Sequence, residues 1–150
     1  MVNLFDVSIY IETTIKGANK TDGYYGYVLE YMLQKKKEPY TRTEIEEEKN
    51  ITANQLYLMA CYRALERLDK PCDIKIYTDS TYLHSGINTW MHQWYQTDWI
   101  SSKGEHIKNK DLWKPLHTLA RNHLVRVELV KAHNYSAWLR EEIKKKEAQN

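Results

Sequence analysis

The sequence predicts an α/β fold in which helices flank a five-stranded mixed sheet, and three observations lead to this prediction. Five short segments alternate apolar and polar residues, as strands do when one face is buried. The first three follow one another through short connections, which indicates an antiparallel meander. The last two alternate with helical segments, which favours crossover connections and parallel pairing. With 150 residues, the chain is most simply one domain over residues 1–150.

The elements are predicted in the order β-β-β-α-β-α-α-β-α. The meander comprises FDVSIYI, YYGYVLEYML and a third strand that follows KKKEP. A long helix is predicted in ITANQLYLMACYRALERLDK, because Thr52 and Gln55 have the spacing of a capping box. The remaining elements are the strand CDIKIYT, the helical segment STYLHSGINTWMHQW, the helix DLWKPLHTLARNH with Asp111 as its N-cap, the strand LVRVELV and the helix SAWLREEIKKKEAQ.

Composition and charge narrow the class of protein. The 22 basic and 20 acidic residues give a net charge of +2, which is too balanced to indicate a nucleic-acid partner by itself. No apolar run is long enough to span a membrane, and the N-terminus lacks a signal-peptide pattern, so we expect a cytoplasmic protein without membrane contact. The two cysteines, Cys61 and Cys72, are expected to be reduced core residues. The 12 tyrosines favour interfaces, or they replace phenylalanine in the core.

Two acidic residues end predicted strands at one edge of the sheet. Glu12 ends the first strand and Asp79 ends the fourth, and parallel neighbours place such residues at the same rim. In the long helix, Tyr57 shares a face with the small residues Ala60 and Cys61, which directs it toward that rim. The alternatives are a solvated loop aspartate at position 79 and an ordinary core aromatic at position 57.

Four segments carry a resemblance to a known family. YTDSTYL, GINTWMHQW, KNKDLW and VELVKAH are similar, in this order, to segments of type-one ribonuclease H, and the resemblance extends over nearly the full chain. It implies the ribonuclease H-like fold. It also implies an endonuclease that cleaves the RNA strand of an RNA–DNA hybrid, using two divalent metal ions held by four carboxylates.

The first three carboxylate positions of that family differ in how well this sequence matches them. Asp79 matches the acid in TDS directly. Glu12, in IETT, stands where the family has an aspartate in a TDGS-like context. Tyr57, in NQLYLMA, stands where the family has a glutamate, so the position of one carboxylate is filled by a phenol.

The last carboxylate and a histidine come from the C-terminal segment. The resemblance implies that Glu141 is the fourth acid, with Glu142 as the alternative, and that His133 in VKAHN is the family's loop histidine. Glutamates early in a helix also suit the helix dipole, which is the structural alternative for both. Catalytic roles are therefore implied for Glu12, Asp79, Glu141 and His133, and metal ligation for the three acids.

The expected cofactor is Mg²⁺ or Mn²⁺, if the protein is active. Magnesium requires oxygen ligands, preferably charged ones, and a phenol with a pKa near about 10 is a poor substitute. Because Tyr57 replaces an anionic ligand, we expect weak binding, or binding of a single ion.

The resemblance also implies a surface that contacts RNA–DNA hybrid or duplex. The segment WMHQWYQTDWISSKGEHIKN matches the family's basic, tryptophan-rich region, but YQTDWI contains no lysine or arginine. Affinity for phosphates follows the number of basic contacts, so weak binding is expected. The residues expected to bind nucleic acid are Thr52, Asn54, Trp90, Trp94, Trp99, Lys103 and Lys108.

Three hypotheses follow from these observations. The first is a ribonuclease H-like domain that retains the fold and weak nucleic-acid binding but has lost most or all two-metal cleavage. The second is an active hybrid ribonuclease with an altered site. The third is a protein-interaction scaffold on the same fold, with a protein partner. Tyr57 is the residue that best discriminates between them.

Overall fold

A computed structural model describes residues 4–32 and 38–149, and in it five strands form one mixed sheet. The spatial order is β3-β2-β1-β4-β5, with antiparallel pairing from β3 to β1 and parallel pairing from β1 to β5. The predicted fold class is confirmed. The first and fourth strands are parallel neighbours, which is the condition for Glu12 and Asp79 to lie at the same rim. The strands are β1 (Phe5–Thr13), β2 (Thr21–Tyr31), β3 (Tyr40–Ile51), β4 (Cys72–Thr78) and β5 (Leu124–Leu129).

Helices cover both faces of the sheet, and no helix in the described part of the chain is long and apolar enough to cross a membrane. The segment after β4 was predicted as one helix, but a π-helical turn interrupts it. A side chain at Gly86 in this turn would place a Cβ 2.1 Å from the buried ring of Trp113, so glycine permits the close approach. The helical elements are α1 (Ala53–Glu66), α2 (Thr81–Ser85), the π turn (Gly86–Trp90), α3 (Met91–Gln96), α4 (Lys110–Ala120) and α5 (Ser136–Ala148).

Helix α1 packs on one face of the sheet through small residues. Ala60, Cys61 and Ala64 are fully buried, so the helix axis approaches the strands closely. The predicted capping box is present, since Thr52 and Gln55 each accept a hydrogen bond from the other's backbone amide. Cys61 and Cys72 are both buried and free, as expected.

The opposite face of the sheet is covered by α5. Along β1, Ile9 and Ile11 belong to the core beneath α1, whereas Tyr10 packs with Leu139 of α5. Because side chains alternate along a strand, Glu12 is directed to the same side as Tyr10. This alternation decides which helix the carboxylate of Glu12 meets.

The N-terminus of α4 differs from the prediction. The predicted N-cap of α4, Asp111, lies instead in the first turn, where its charge suits the helix dipole. The N-cap position is Asn109, which has a φ of 64° and bonds through its side chain to Gln55 and Tyr82. It therefore ties α4 to α1 and α2. Residues 33–37, which precede the third strand, lie outside the described residues.

Candidate active site

The carboxylate of Glu12 is held in a buried group of hydrogen bonds at the end of β1. Only 4% of its side chain is exposed. Ser136 Oγ donates to Oε2 over 3.0 Å, and Arg140 Nε donates to Oε1 over 2.9 Å. Ser136 and Arg140 are four residues apart on one face of α5, so the first turn of that helix closes over the acid. We call these residues, with His133, the Glu12 cluster.

His133 completes the Glu12 cluster from the loop before α5. The backbone amide of Tyr135 donates to Nδ1 over 3.2 Å, so the hydrogen of a neutral ring is assigned to Nε2. Nε2 lies 3.0 Å from the carbonyl oxygen of Ile11 and 3.2 Å from Glu12 Oε2, both of which accept. The imidazole is thus fixed in one tautomer against the carboxylate.

Opposing effects set the charge of Glu12. Burial raises the pKa of the carboxyl, but hydrogen bonds from His133 and Ser136 and the charge of Arg140 outweigh it. The pKa therefore lies below its ordinary value, and Glu12 is ionised at neutral pH.

Asp79 lies at the same edge of the sheet in a second, more open group. Tyr57 Oη donates to Asp79 Oδ1 over 2.5 Å, and Lys16 Nζ lies 3.2 Å from Oδ2. Lys16 also donates to the Tyr57 hydroxyl over 2.9 Å, which closes a three-membered ring of polar groups. We call these residues the Asp79 cluster; in it, an ammonium group neutralises the aspartate.

The charges in the Asp79 cluster support one another. Burial raises the pKa of Asp79, but the hydrogen bond from Tyr57 and the charge of Lys16 bring it below the ordinary value. Burial, together with donation to the carboxylate, raises the pKa of Tyr57, so its phenol is neutral at physiological pH. The hydrogen bonds with Tyr57 and Asp79 raise the pKa of Lys16 against the opposing effect of burial.

The two clusters are neighbours but remain separate. The parallel register pairs Tyr10 of β1 with Tyr77 of β4. Glu12 and Asp79 each lie two residues further along, at the same end of these neighbouring strands. Glu12 is bound by residues of α5 and its loop, whereas Asp79 is bound by α1 and the loop after β1. Within residues 4–32 and 38–149, no group of three or more His, Cys, Asp or Glu residues is arranged to hold a metal ion.

The structure does not bring the predicted fourth carboxylate to this edge. Glu141 is exposed and pairs with Lys144 at 3.6 Å, while Glu142 pairs with Lys145 at 3.1 Å. Successive residues of a helix are rotated by about 100°, so the neighbour of Arg140 points to a different side. The expectation for Glu141 therefore needs correction: α5 presents a serine and an arginine to Glu12, not an acid.

Several residues expected to bind nucleic acid surround one cavity. Thr52, Asn54 and Lys108 line a cavity of about 240 Å³ at the start of α1, and Lys16 lines it too. The first-turn amides of α1 and the two ammonium groups make this region attractive to an anion. The cavity thus adjoins the Asp79 cluster through Lys16.

The predicted tryptophan surface is only partly exposed. Trp90 is 40% exposed, and Trp94 packs partly buried beneath it. Trp99 is 3% exposed and lies against Trp94 and His117, so its expected role in binding nucleic acid is corrected to that of a core residue. Lys103 is exposed in the loop that follows.

The residues that sequence reasoning missed are the cations and one hydroxyl: Lys16, Arg140 and Ser136. Lys16 lies in a turn-rich loop, where a lysine carries no signal for a partner 63 residues away. Ser136 and Arg140 had a usable signal, because their spacing of four places both on one face of the last helix.

Comparisons with known proteins agree with this fold. A family model described as RNase H matches residues 6–140. Ribonuclease HI of Xylella fastidiosa (strain 9a5c) is 45% identical over 87 residues, and the match spans 58% of this chain and only 58% of that protein's length. Ribonuclease H of Legionella pneumophila (strain Corby) is 38% identical over 128 residues, which is 85% of each chain.

A solved structure is also similar. LC9-RNase H1, described as a type 1 RNase H with the type 2 active-site motif, has a TM-score of 0.75 and 23% sequence identity. The match covers 93% of this chain and 72% of that one. At this identity, the likeness shows that the two proteins share a fold.

Proposed function

Since the chain belongs to the ribonuclease H family, we propose that it is a nucleic-acid-binding domain of that family in which two-metal cleavage is lost or strongly reduced. Its ligand is an RNA–DNA hybrid or a related duplex. The single observation that carries the proposal is that each carboxylate at the candidate active site already has its own side-chain cation.

The donor groups at this site do not fit a pair of divalent ions. Lys16 lies 3.2 Å from Asp79, and Arg140 lies 2.9 Å from Glu12, so a metal ion would have to displace both. The third group, Tyr57, is a neutral phenol that donates its proton to Asp79. Two isolated acids supply half of the carboxylates that the family arrangement implies.

Nucleic-acid binding is supported by the cavity at the start of α1. Lys108 supplies positive charge there, and Lys16 also lines the cavity, although Asp79 neutralises its ammonium group. Thr52 and Asn54 supply polar groups beside the helix amides. Phosphate contacts of this kind position a duplex without reading its sequence. Because the basic groups are few, the affinity is low and falls with salt along a shallow slope.

The test uses a labelled RNA–DNA hybrid with Mg²⁺ or Mn²⁺. We expect the parent protein to bind the hybrid and to cleave it no faster than the Asp79→Asn variant does. Replacing Lys103 and Lys108 together by alanine weakens binding for all sequences alike, whereas Lys70→Ala, at the opposite edge of the sheet, serves as a matched control without effect. Metal-dependent cleavage that disappears with Asp79→Asn would overturn the loss of activity, and salt-independent binding would overturn the phosphate contacts.

The second candidate is an active ribonuclease with an altered site. The observation in its favour is the buried pairing of His133 with Glu12, which keeps a fixed imidazole beside an ionised acid. Cleavage that is lost in both His133→Ala and Asp79→Asn, but not in Lys70→Ala, would select this candidate.

A further inference from the structure

An acidic cleft lies on the α1 side of the sheet, between strand β3 and the C-terminal half of α1. Its volume is about 530 Å³, and it contains no residue of the Glu12 or Asp79 clusters. Alternate residues of β3 point into it, because side chains two apart share a face of a strand. The lining residues are Tyr25, Glu44, Glu46, Glu48, Arg63, Glu66 and Arg67.

Only part of the negative charge in the acidic cleft is neutralised. Glu44 is paired with Arg67, and Glu66 is paired with Arg63 at 2.9 Å. Glu46 and Glu48, by contrast, have no ion pair with any described residue. The cleft therefore carries two excess negative charges on neighbouring positions of the same strand face.

Tyr25 provides a second, independent observation. It is 1% exposed overall and lines the cleft. No fully enclosed side-chain oxygen or nitrogen of the described residues lacks a hydrogen-bond partner, so the Tyr25 hydroxyl, which makes no hydrogen bond with them, opens onto the cleft. A buried tyrosine usually bonds its hydroxyl, so this group is available to a ligand that enters the cleft. Burial raises the pKa of Tyr25 to about 12, so the phenol stays protonated and offers a neutral oxygen. Tyr25 lies opposite Glu46 in the β2–β3 register, so the two groups face one ligand position.

We propose that the acidic cleft binds an extended basic peptide segment whose arginine or lysine side chains are two residues apart. Such side chains repeat at about 6.6–7 Å along a strand, which is the spacing of Glu46 and Glu48 along β3. One cationic group meets Glu46 and donates to the Tyr25 hydroxyl, and the next meets Glu48. Nucleic acid is repelled by the same charges.

The arrangement of acceptor groups in the cleft favours a peptide over a metal ion. Within the described residues, the cleft glutamates do not form a group that could hold a metal. An arginine guanidinium carries several donors in one plane, so it can reach a carboxylate and the phenol oxygen together.

The test is a titration with an acetylated, amidated peptide, GSRTRTSG, with GSQTQTSG as the uncharged control. We expect binding of the arginine peptide only, and about tenfold or greater weakening in the Glu46→Gln/Glu48→Gln variant. Tyr25→Phe weakens binding about three- to tenfold, as the loss of one hydrogen bond does, without lowering the thermal midpoint. Glu47→Gln, a neighbouring β3 residue that pairs with Lys49, is the matched control and leaves binding unchanged.

Three results would overturn the proposal. They are equal binding of the two peptides, unchanged binding by the Glu46/Glu48 double variant, and spermine binding as tight as the arginine peptide, which would indicate a non-specific polycation site. Hybrid binding is measured on the same variants and stays as in the parent protein. The cleft and the proposed nucleic-acid surface are therefore tested separately.

Discussion

The two carboxylates at the edge of the sheet have similar charge balance but different surroundings. The side chain of Glu12 is 4% exposed and has three side-chain partners, whereas that of Asp79 is 32% exposed and has two. In both cases a cation of the chain itself neutralises the acid. The negative charge at this edge is therefore neutralised separately at each acid, and the two acids do not share one cation.

The cause of the separation lies in the strands. Alternation along β1 turns Glu12 toward α5, while Asp79 comes just after the last residue of β4 and reaches Tyr57 of α1. A glutamate at position 57 would add negative charge between the acids and would attract a shared cation. The neutral tyrosine at position 57 adds no negative charge, and the ammonium group of Lys16 neutralises Asp79.

A triple variant tests whether Lys16, Arg140 and the phenol of Tyr57 prevent metal binding, and we expect it to change activity more than any other variant. The triple variant Lys16→Ser/Tyr57→Glu/Arg140→Ala removes both cations and adds one acid. We expect Mn²⁺ binding by calorimetry and hybrid cleavage at least about tenfold above the parent protein.

The matched control for this rescue is Lys16→Ser/Tyr57→Phe/Arg140→Ala, which removes the cations without adding the acid. It should bind Mn²⁺ more weakly than the rescue variant and should not cleave. Adding Asp79→Asn to the rescue variant should abolish the gain. A folded rescue variant that binds Mn²⁺ and remains inert would place the cause of the proposed loss of activity elsewhere, most simply in the loop around His133.

The two acids should also differ in how much each contributes to the free energy of unfolding. Glu12→Gln places an amide among three donors, so at least one buried donor loses its acceptor, and we expect a loss of about 2–4 kcal/mol in the free energy of unfolding. Asp79→Asn acts on a partly solvated group and should cost about 1 kcal/mol or less. Urea unfolding of the two variants measures both values. Equal losses would contradict the difference between the clusters.

The stability that Glu12 contributes should depend on pH. The folded-state pKa of Glu12 lies below its unfolded value of about 4.3, so its stabilising contribution is complete above that value and decreases as the pH falls through the folded pKa. The stability difference between the parent protein and Glu12→Gln should therefore shrink as the pH falls from about 5 toward about 3. Urea unfolding at these pH values measures it, and a difference that grows on acidification would contradict the assignment.

The fold was predictable because each of its elements has a local signal. Alternation gave the strands, the capping box gave the start of α1, and short connections gave the meander. The contact between Tyr57 and Asp79 was also foreseeable, from the small-residue face of α1 and the parallel register of β1 with β4.

The charge balance of the site was not predictable in the same way. Lys16 meets Asp79 only through the path of a loop, which has no periodicity to interpret. In α5, a shift of one residue separates Arg140, which contacts Glu12, from the exposed Glu141, and sequence similarity did not fix that rotation. Of the 12 tyrosines, five are buried, so the tyrosine excess reflects the core only in part; these are Tyr10, Tyr24, Tyr25, Tyr27 and Tyr57.

The smallest expected effect isolates the hydrogen bond between Tyr57 and Asp79. Tyr57→Phe keeps the buried ring and removes only the hydroxyl, so we expect a loss of about 1 kcal/mol in the free energy of unfolding. Because that hydrogen bond lowers the pKa of Asp79, the pKa should rise toward its ordinary value, while Lys16 limits the change. Carboxyl ¹³C titration by NMR measures the pKa, and Tyr95→Phe, at an exposed ring on α3, is the control. If Tyr57→Phe leaves the pKa of Asp79 unchanged, Lys16 alone holds the aspartate ionised, and Tyr57 matters only through the absence of a carboxylate.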